Sequence, residues 1–428
     1  MKILICGQNY APELTGTGKY TAEMAEALAA AGHEVRVVCG PPYYPAWQIE
    51  EGYSGCHYRS ELVRGVQVRR VPLWVPRQPG GAKRLLHLAS FALAALPVML
   101  RQALWRPDVV MAVAPGLMGA PGAWLAARLA GARCWLHVQD FEVDAAFELG
   151  LLRGARARGI ALAVERLLLR RFDVVSSISD KMVGNAARKG VPAPRLYLLP
   201  NWVDTQAIVP LGRPSRLRQA LGIGDRQKVV LYAGNMGAKQ GLEVLMYAAA
   251  ALAGDPGITF VFCGNGPARA ELELHCAGLD NCRFLPLQPT DALNELLNLA
   301  DIHVLPQRGG AADLVMPSKL TGMLASGRAI VAMADPGTEL HTALQGRGVA
   351  VPPEDVEALA AAIRRLARDA DLRAALGAAA RAYAVGNLSA PAVLGRLDTR
   401  LRALCADDAA RPVGSELPPA PLRTEEAD

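Results

Sequence analysis

The sequence predicts an α/β protein made of two Rossmann-like, doubly wound domains that face each other. The chain has 428 residues, about twice the length of a typical domain. Its residues are 51% hydrophobic and only 5% aromatic, which suits large aliphatic cores. In each half, short apolar segments alternate with helical patterns, as in parallel sheets that helices cover on both faces.

The N-terminal half begins with a βαβ unit. Strand Lys2–Gly7 precedes a loop over residues 8–18 and a helix with one apolar face, which Gly32 ends before strand Glu34–Cys39. Residues 40–64, rich in Tyr, Pro and Gly, interrupt the alternation, and we predict a long functional loop there. Further strands are expected at residues 66–72, Val109–Ala114, Arg133–Val138 and Val174–Ser177.

The chain is expected to divide at a turn-rich linker over residues 201–226. Residues 1–200 then form the first domain and residues 227–405 the second, in which residues 355–368 are the clearest helix. The tail at 406–428 lacks periodicity and is expected to be disordered. Strands of the second domain are expected at residues 229–233, Ile258–Cys263, 283–286, Ile302–Leu305, Ala329–Met333 and Val349–Val351.

The net charge of +6 is unevenly distributed. Residues 1–200 hold 24 Lys and Arg against 15 Asp and Glu, a net +9, whereas the rest holds 22 against 25, a net −3. A basic half favours an anionic partner, either acidic lipid or a phosphate-bearing substrate, with ordinary solvated charge as the alternative. Eight cysteines without a C-x-x-C pair, and a strand at the very start, predict a cytoplasmic protein.

Two uncharged segments resemble membrane spans. Residues 109–127 contain two prolines and three glycines, and they are expected to form a strand, a loop and the start of a helix. Residues 85–100 lie between the basic residues Lys83, Arg84 and Arg101 and are short for a span. Two interpretations stay open for this segment, a helix lying in a membrane interface and a buried core helix.

Three turns of the C-terminal half follow strands and lead towards helices, at residues 234–241, 261–267 and 313–319. Ligands of open α/β sheets bind at the carboxyl ends of strands, and helix N-termini attract phosphates. The three turns together therefore predict a diphosphate site. The candidate ligands are Asn235, Lys239, Gln240, Gly264, Gly266, Ser318 and Lys319.

The N-terminal half offers two further candidates. Gly16 and Gly18 precede a helix, where glycine lets backbone N–H groups approach a phosphate closely. The loop is not a P-loop, because Glu13 stands where that motif has glycine. His137 and Asp140 follow a strand, and such a pair can orient a sugar hydroxyl, although a lone histidine there is often structural.

These motifs resemble the family-4 retaining glycosyltransferases of GT-B fold over nearly the whole chain short of the tail. The stretches that carry the resemblance are residues 9–16, 32–37, 137–140, 234–241, 261–267, 283–286, 299–306 and 348–359. More narrowly, residues 41–47, 75–79 and 83–88 are similar to the colanic acid biosynthesis fucosyltransferase type.

The chain departs from the family pattern at several site positions. Asn235 stands where the family commonly has Arg, and Gln240 where it commonly has Lys. The family's two glutamates fall on Leu314 and Gly322. Asp313 is the candidate for the first glutamate's role, holding the donor sugar, and a bacterial subgroup with a Pro-Ser-Lys turn resembles this chain in the same departures.

The resemblance implies retaining transfer without a metal or another cofactor, and we found no D-x-D at a strand end. The implied donor is a nucleotide-sugar, a GDP-sugar rather than a UDP-sugar, and in particular GDP-fucose. The implied acceptor is a polyprenyl-diphosphate-linked saccharide in exopolysaccharide assembly, on the inner face of the cytoplasmic membrane, with no nucleic acid involved. Lys239, Lys319 and the Gly16 loop would stabilise the leaving diphosphate, and His137 and Asp140 would position the sugar.

Two other functions stay open. A nucleotide-sugar epimerase of similar fold would need no lipid acceptor, and the basic, apolar region at 85–106 disfavours it. A non-catalytic glycosyltransferase-like subunit would explain the missing glutamates, and it would bind nucleotide without turnover.

Overall fold

The computed structural model describes residues 1–13, 16–78, 80–141, 155–237, 240–308 and 317–409. These residues form two Rossmann-like lobes, each a sheet of mainly parallel strands covered by helices on both faces. The GT-B arrangement expected from the sequence is therefore confirmed at the level of the fold.

The sheet of the first lobe has eight strands in the order β3-β4-β2-β1-β5-β6-β7-β8. Only the β3–β4 pair is antiparallel. The order reverses between β1 and β5, and this switch point is where a ligand crevice opens at the carboxyl ends of the strands. The strands are β1 (Lys2–Gly7), β2 (Glu34–Cys39), β3 (Arg59–Val63), β4 (Val66–Arg70), β5 (Val109–Ala114), β6 (Arg133–Val138), β7 (Val174–Ser177) and β8 (Leu196–Leu198).

The sheet of the second lobe has six parallel strands in the order β11-β10-β9-β12-β13-β14. Its switch point lies between β9 and β12. Side chains of β9 alternate between two cores, Val230 and Tyr232 entering one and Val229 and Leu231 the other. The strands are β9 (Lys228–Ala233), β10 (Ile258–Cys263), β11 (Cys282–Leu285), β12 (Ile302–Leu305), β13 (Ala329–Met333) and β14 (Val349–Val351).

Helices cover both faces of each sheet. Those of the first lobe are α1 (Gly16–Ala30), α2 (Gly81–Ala103), α3 (Ala120–Ala130), α4 (Ala155–Leu169) and α5 (Asp180–Arg188). Those of the second lobe are α6 (Arg216–Ala220), α7 (Glu243–Ala251), α8 (Arg269–Cys276), α9 (Leu293–Leu297), α10 (Lys319–Ser326), α11 (Glu339–Leu344), α12 (Val356–Arg368) and α13 (Ala370–Tyr383). The last helix, α14 (Ala390–Ala409), returns to the first lobe.

The return of α14 corrects the expected domain boundary at residue 405. Leu397 and Leu401 are fully buried against β1 and α1 of the first lobe. His33 at the start of β2 also contacts Asp398, with 2.7 Å between Nε2 and Oδ1. The helix ends at Ala409, so residues 406–409, which were expected to belong to a disordered tail, are helical. Residues 410–428 lie outside the described residues.

Two chain crossings lie side by side between the lobes. The N–H of Val203 donates to the carbonyl of Leu388 at 2.9 Å, and the N–H of Ala390 donates back to Val203 at 3.1 Å. Trp202 anchors this hinge to α1 through its indole N–H, which donates to Glu23 at 2.7 Å. The expected linker is therefore one of two connections.

The segment at 40–64 is only partly a loop. Its last residues form β3, which pairs with β4 and extends the sheet by an antiparallel edge strand. The segment at 109–127 forms β5, a short turn and the first part of α3, as expected.

Helix α2 is long and apolar enough to cross a membrane, by length and composition, and 33% of its most apolar window is buried. Phe91, Ala95 and Met99 pack into the core, while Leu86 and Leu93 are 60% and 72% exposed. The buried face fits the interpretation as a core helix, and the membrane-interface interpretation of the exposed apolar face stays a prediction.

Leu397→Ala should destabilise the protein by about 2–5 kcal/mol, because a fully buried leucine is truncated. Thr399→Ala, at an exposed position of the same helix, is the matched control and should change the free energy of unfolding by less than about 0.5 kcal/mol. Chemical denaturation of both variants measures this difference. Equal stabilities would mean that α14 does not hold to the first lobe in solution.

Candidate functional site

Lys319 lies at the switch point of the second sheet. Its side chain crosses Gly234, the first residue after β9, so closely that a Cβ on Gly234 would be 2.3 Å from Cε of Lys319. Gly234 also has φ of +139°, a conformation that residues with side chains rarely adopt. Only glycine therefore fits at this position while Lys319 stays in place.

The turns after β9 and β10 interlock through their backbones. A Cβ on Gly264 would lie 1.9 Å from the carbonyl oxygen of Gly234, and one on Gly266 would lie 2.4 Å from that of Met236. The N–H of Met236 also donates to the carbonyl of Asn265 at 2.8 Å. The structure thus brings Gly234, Gly264 and Lys319 together, three of the elements that the sequence placed at strand ends.

Burial lowers the pKa of Lys319 to about 8. Its ammonium group donates to the hydroxyl of Tyr232 at 3.0 Å, and that hydroxyl donates to the carbonyl of Asn235 at 2.5 Å. Burial also raises the pKa of Tyr232, so the phenol stays protonated. A lysine ammonium has three donors, and a phosphate that binds two of them would repay the cost of burying the charge.

Helix α10 begins at Lys319, so the cation stands on the positive end of the helix dipole. Ser318 occupies the N-cap position, but no side chain of the described residues caps the helix. The first N–H groups of an uncapped helix need partners, and an anion satisfies them well. Ser318 is exposed and stands beside them.

The remaining candidates of this lobe have different positions. Asn235 is exposed, and Gln240 is half-buried with its N–H donating to the carbonyl of Gly237 at 3.1 Å. Lys239 and Asp313 lie outside the described residues.

Sequence reasoning missed Arg308, which follows β12 on the other side of the switch point. Its Cγ lies 3.1 Å from where a Cβ of Gly241 would be, and its guanidinium pairs with Glu243 at 2.7 Å. The one feature of the sequence that points to Arg308 is its position just after a predicted strand. It was passed over because no predicted helix start stands next to it. Arg308 is thus a second cation beside the glycine turns.

In the first lobe, the role of Glu13 was also missed. A Cβ on Gly18 would lie 2.5 Å from Oε2 of Glu13, so glycine is required there. Gly16 begins α1 with φ of +63°. The carboxylate of Glu13 accepts two backbone N–H bonds from Tyr43 and Tyr44, both at 3.0 Å. It therefore connects the Gly16 loop to the segment after β2.

His137 is 2% exposed near the carboxyl end of β6. Its Nδ1 contacts the hydroxyl of Ser176 at 2.9 Å, and that hydroxyl accepts from the indole of Trp135 at 2.7 Å. Burial lowers the pKa of His137 to about 4, so the ring is neutral at neutral pH. A neutral ring fixes hydroxyl groups through hydrogen bonds and carries no charge to the site. Asp140 is half-buried two residues beyond the strand.

Helix α1, which begins at Gly16, contacts helix α10, which begins at Lys319 in the other lobe. The side chain of Tyr20 of α1 interacts with that of Thr321 of α10, and both side chains are buried. Tyr20 also packs edge-on against Trp202 of the hinge, with ring centroids 5.2 Å apart. The start of α1 therefore faces the start of α10 over about one turn of each helix.

Within the described ranges, no three His, Cys, Asp or Glu side chains gather as metal ligands. Asp313 falls outside those ranges, so metal-independent chemistry stays a prediction.

Models of two protein families match the chain. The first, described as "Glycosyl transferase 4-like domain", matches residues 15–202, and the second, "Glycosyl transferases group 1", matches residues 215–383. The curated protein "Putative colanic acid biosynthesis glycosyl transferase WcaI" of Escherichia coli strain K12 is 47% identical over 375 residues. The match covers 85% of this chain and 92% of that protein.

Solved structures share the fold. Sucrose-phosphate synthase from Thermosynechococcus elongatus aligns with a TM-score of 0.73 at 20% identity, over 95% of this chain and all of that one. Anabaena HepE in complex with UDP and glucose aligns with a TM-score of 0.67 at 17% identity, over 94% of this chain and 100% of the other. At these identities the likeness shows the arrangement of the lobes alone.

Nucleoside diphosphate affinity should fall as pH rises through about 8. In the free protein the side chain of Lys319 is charged below its pKa of about 8 and neutral above it. A bound diphosphate favours the charged form, so its affinity decreases when the free protein loses this charge. Titration calorimetry with GDP and UDP at about pH 7 and about pH 9 measures this slope.

Two variants test the assignment of that slope to Lys319. Lys319→Arg should make nucleoside diphosphate affinity nearly independent of pH, because arginine stays charged between about pH 7 and about pH 9. Lys319→Ala should remove it and lower turnover at least tenfold, about 1.4 kcal/mol of barrier. A slope that persists in both variants would assign the titration to another group.

Proposed function

Because the chain belongs to the family-4 glycosyltransferases, we propose that it transfers fucose from GDP-fucose, with retention, onto a polyprenyl-diphosphate-linked saccharide. The product would enter a colanic acid-like exopolysaccharide. The 47% identity to a protein described as a colanic acid biosynthesis glycosyl transferase supports the pathway. The similarity of residues 41–47 to the fucosyltransferase type supports the sugar.

The observation that carries the proposal is the position of Lys319 across Gly234 at the switch point. When the glycosidic bond to the donor phosphate breaks, negative charge develops on the leaving diphosphate. A cation and a helix N-terminus that already lie there stabilise this charge without reorganisation. Lys239, Arg308 and the Gly16 loop are the further groups that we assign to the diphosphate.

Retention places the acceptor hydroxyl on the same face of the donor sugar as the leaving group. The departing phosphate oxygen then takes the proton of that hydroxyl, so no buried protein base is needed. His137 is suited to hold a sugar hydroxyl because it is neutral and fixed by Ser176. We assign Asp140 to the same task and Asp313 to the donor sugar, and we assign no metal ion to the reaction.

One face of the first lobe is suited to a membrane surface. Helices α2, α3 and α4 cover the same side of the sheet, and each exposes apolar side chains. Basic side chains, including Lys83, Arg101, Arg128 and Arg171, lie among them. Apolar insertion together with attraction to anionic lipid headgroups would place the cleft near a lipid-linked acceptor on the cytoplasmic side. The apolar residues are Leu86, Leu93, Leu125, Leu129, Ile160, Val164 and Leu167.

GDP-fucose should be used in preference to UDP- and dTDP-sugars. The transferred sugar should have the same anomeric configuration in the product as in the donor. Thermal shifts with GDP, UDP and dTDP sugars rank the nucleotides, and NMR of the product assigns the anomer. Transfer should persist in excess EDTA, because we assign no metal to the site. If no nucleotide-sugar raises the melting temperature, the proposal fails.

Leu86→Glu combined with Leu93→Glu should lower binding to anionic phospholipid vesicles at least tenfold. Each exposed leucine otherwise transfers apolar surface into the interface, up to about 1.5–3 kcal/mol when fully buried. Vesicle sedimentation measures the change. Leu274→Glu combined with Leu287→Glu, at exposed positions of the second lobe, is the control and should bind as the wild type does. Equal loss in both pairs would contradict this orientation.

A further inference from the structure

The first lobe exposes aromatic side chains beside its switch point. Tyr44 follows β2, and Trp74 follows the neighbouring strand β4, so the sheet brings both to one edge of the crevice. Their side chains are 43% and 47% exposed, and Trp47 between them in sequence is half-buried. Large aromatic surfaces are costly to leave in water, and such exposure next to a cleft favours a binding role.

The backbone that carries Tyr44 is fixed by a buried carboxylate. Glu13 accepts from the N–H groups of Tyr43 and Tyr44, and its second oxygen accepts from the amide of Asn9 at 2.9 Å. Glu13 is 6% exposed, and burial raises its pKa while these bonds oppose the rise. The position of Tyr44 is therefore set by three hydrogen bonds to one side chain.

The backbone that carries Trp74 is fixed by α2. Nδ1 of His87 donates to the carbonyl of Trp74 at 2.6 Å, and the N–H of Trp74 donates to the hydroxyl of Ser90 at 3.1 Å. With its Nδ1 proton used in this way, Nε2 of His87 accepts from the hydroxyl of Tyr43 at 3.1 Å and from Gln8. Burial lowers the pKa of His87, which keeps this neutral tautomer.

The rings of Tyr43 and Trp47 pack around the ring of His87. The ring of Tyr43 lies 4.9 Å from that of His87 and 5.4 Å from that of Trp47, and Trp47 lies 5.2 Å from His87. The ring of Trp47 is thus held by ring contacts, whereas hydrogen bonds hold the backbones that carry Tyr44 and Trp74. Rigid aromatic surface binds a ligand at a low entropic cost.

Tyr44 reaches the cleft. Its Cε1 lies 3.5 Å from where a Cβ of Gly16 would be, so the ring touches the loop that begins α1. At the other end, Lys83 and Arg84 stand in the first turn of α2, and the exposed Leu86 follows. The backbone of Trp74 meets the same helix at His87 and Ser90, so aromatic, basic and apolar side chains share this part of the lobe.

We propose that Tyr44, Trp47 and Trp74 form a platform on which the acceptor saccharide stacks through the C–H faces of its sugar rings. The proposal rests on the proposed function, which requires a saccharide acceptor. Exposed aromatic rings at the carboxyl ends of neighbouring parallel strands, one of them against the Gly16 loop, suit the C–H faces of sugar rings. We assign Lys83 and Arg84, in the first turn of the adjoining helix α2, to the lipid-linked diphosphate. We assign the nucleotide to the glycine turns of the second lobe, and Trp74 belongs to none of the groups that we assign to the donor.

Binding is tested without turnover. Saturation-transfer NMR with lactose and cellobiose as probes should show transfer to sugar ring protons in the wild-type protein. Tyr44→Ala and Trp74→Ala should lower the signal at least fivefold. Tyr247→Ala removes an exposed aromatic side chain from α7 of the second lobe and should leave the signal unchanged. No signal with the wild type, or equal signals in all variants, would overturn the platform.

Kinetics distinguish this inference from the proposed function. With a polyprenyl-diphosphate-linked disaccharide, Tyr44→Ala and Trp74→Ala should raise the acceptor KM at least tenfold, and Trp74→Ala should leave the donor KM within twofold. Trp74→Phe should recover most of the loss, because a ring remains. A change in donor KM alone would assign the rings to the nucleotide-sugar and reject the platform. If the wild type transfers nothing but the NMR differences persist, the proposed function fails and the platform stands.

Discussion

The side chain of Lys319 lies across the Cα of Gly234 where the strand order of the second sheet reverses. This contact requires that Gly234 has no side chain, and Gly264 is required in turn because it packs on the carbonyl of Gly234. Two turns and one helix start are thus held at van der Waals distance around one cation. The low pKa of that cation is the cost of this packing, and an anionic ligand offsets it.

In the first lobe, the buried side chains of Glu13 and His87 hydrogen-bond to backbone groups as well as to neighbouring side chains, and they fix the segments after β2 and β4. Lys319 lies at the switch point of the second lobe, whereas the ends of the strands of the first lobe carry the neutral ring of His137 and the exposed rings of Tyr44 and Trp74. Tyr20 and Thr321 connect the two. This division suits a reaction in which one partner leaves as an anion and the other is an uncharged hydroxyl.

Sequence reasoning predicted most strands within one or two residues, because buried parallel strands are continuous apolar segments. It also selected Lys319, since a proline and a serine before a lysine indicate a helix start. It missed Glu13, whose partners are backbone groups about thirty residues away. It misplaced α14 because an amphipathic pattern shows that a helix has a buried face but not which lobe covers that face.

The return of α14 changes what the second lobe is. Both the first strand and the last helix belong to the first lobe, and the two crossings are paired at Val203. The second lobe is therefore an insertion within the first, and the chain enters and leaves it at the paired crossings beside Val203. A unit inserted in this way can be exchanged between related chains at one place without cutting the sheet or the core of the first lobe.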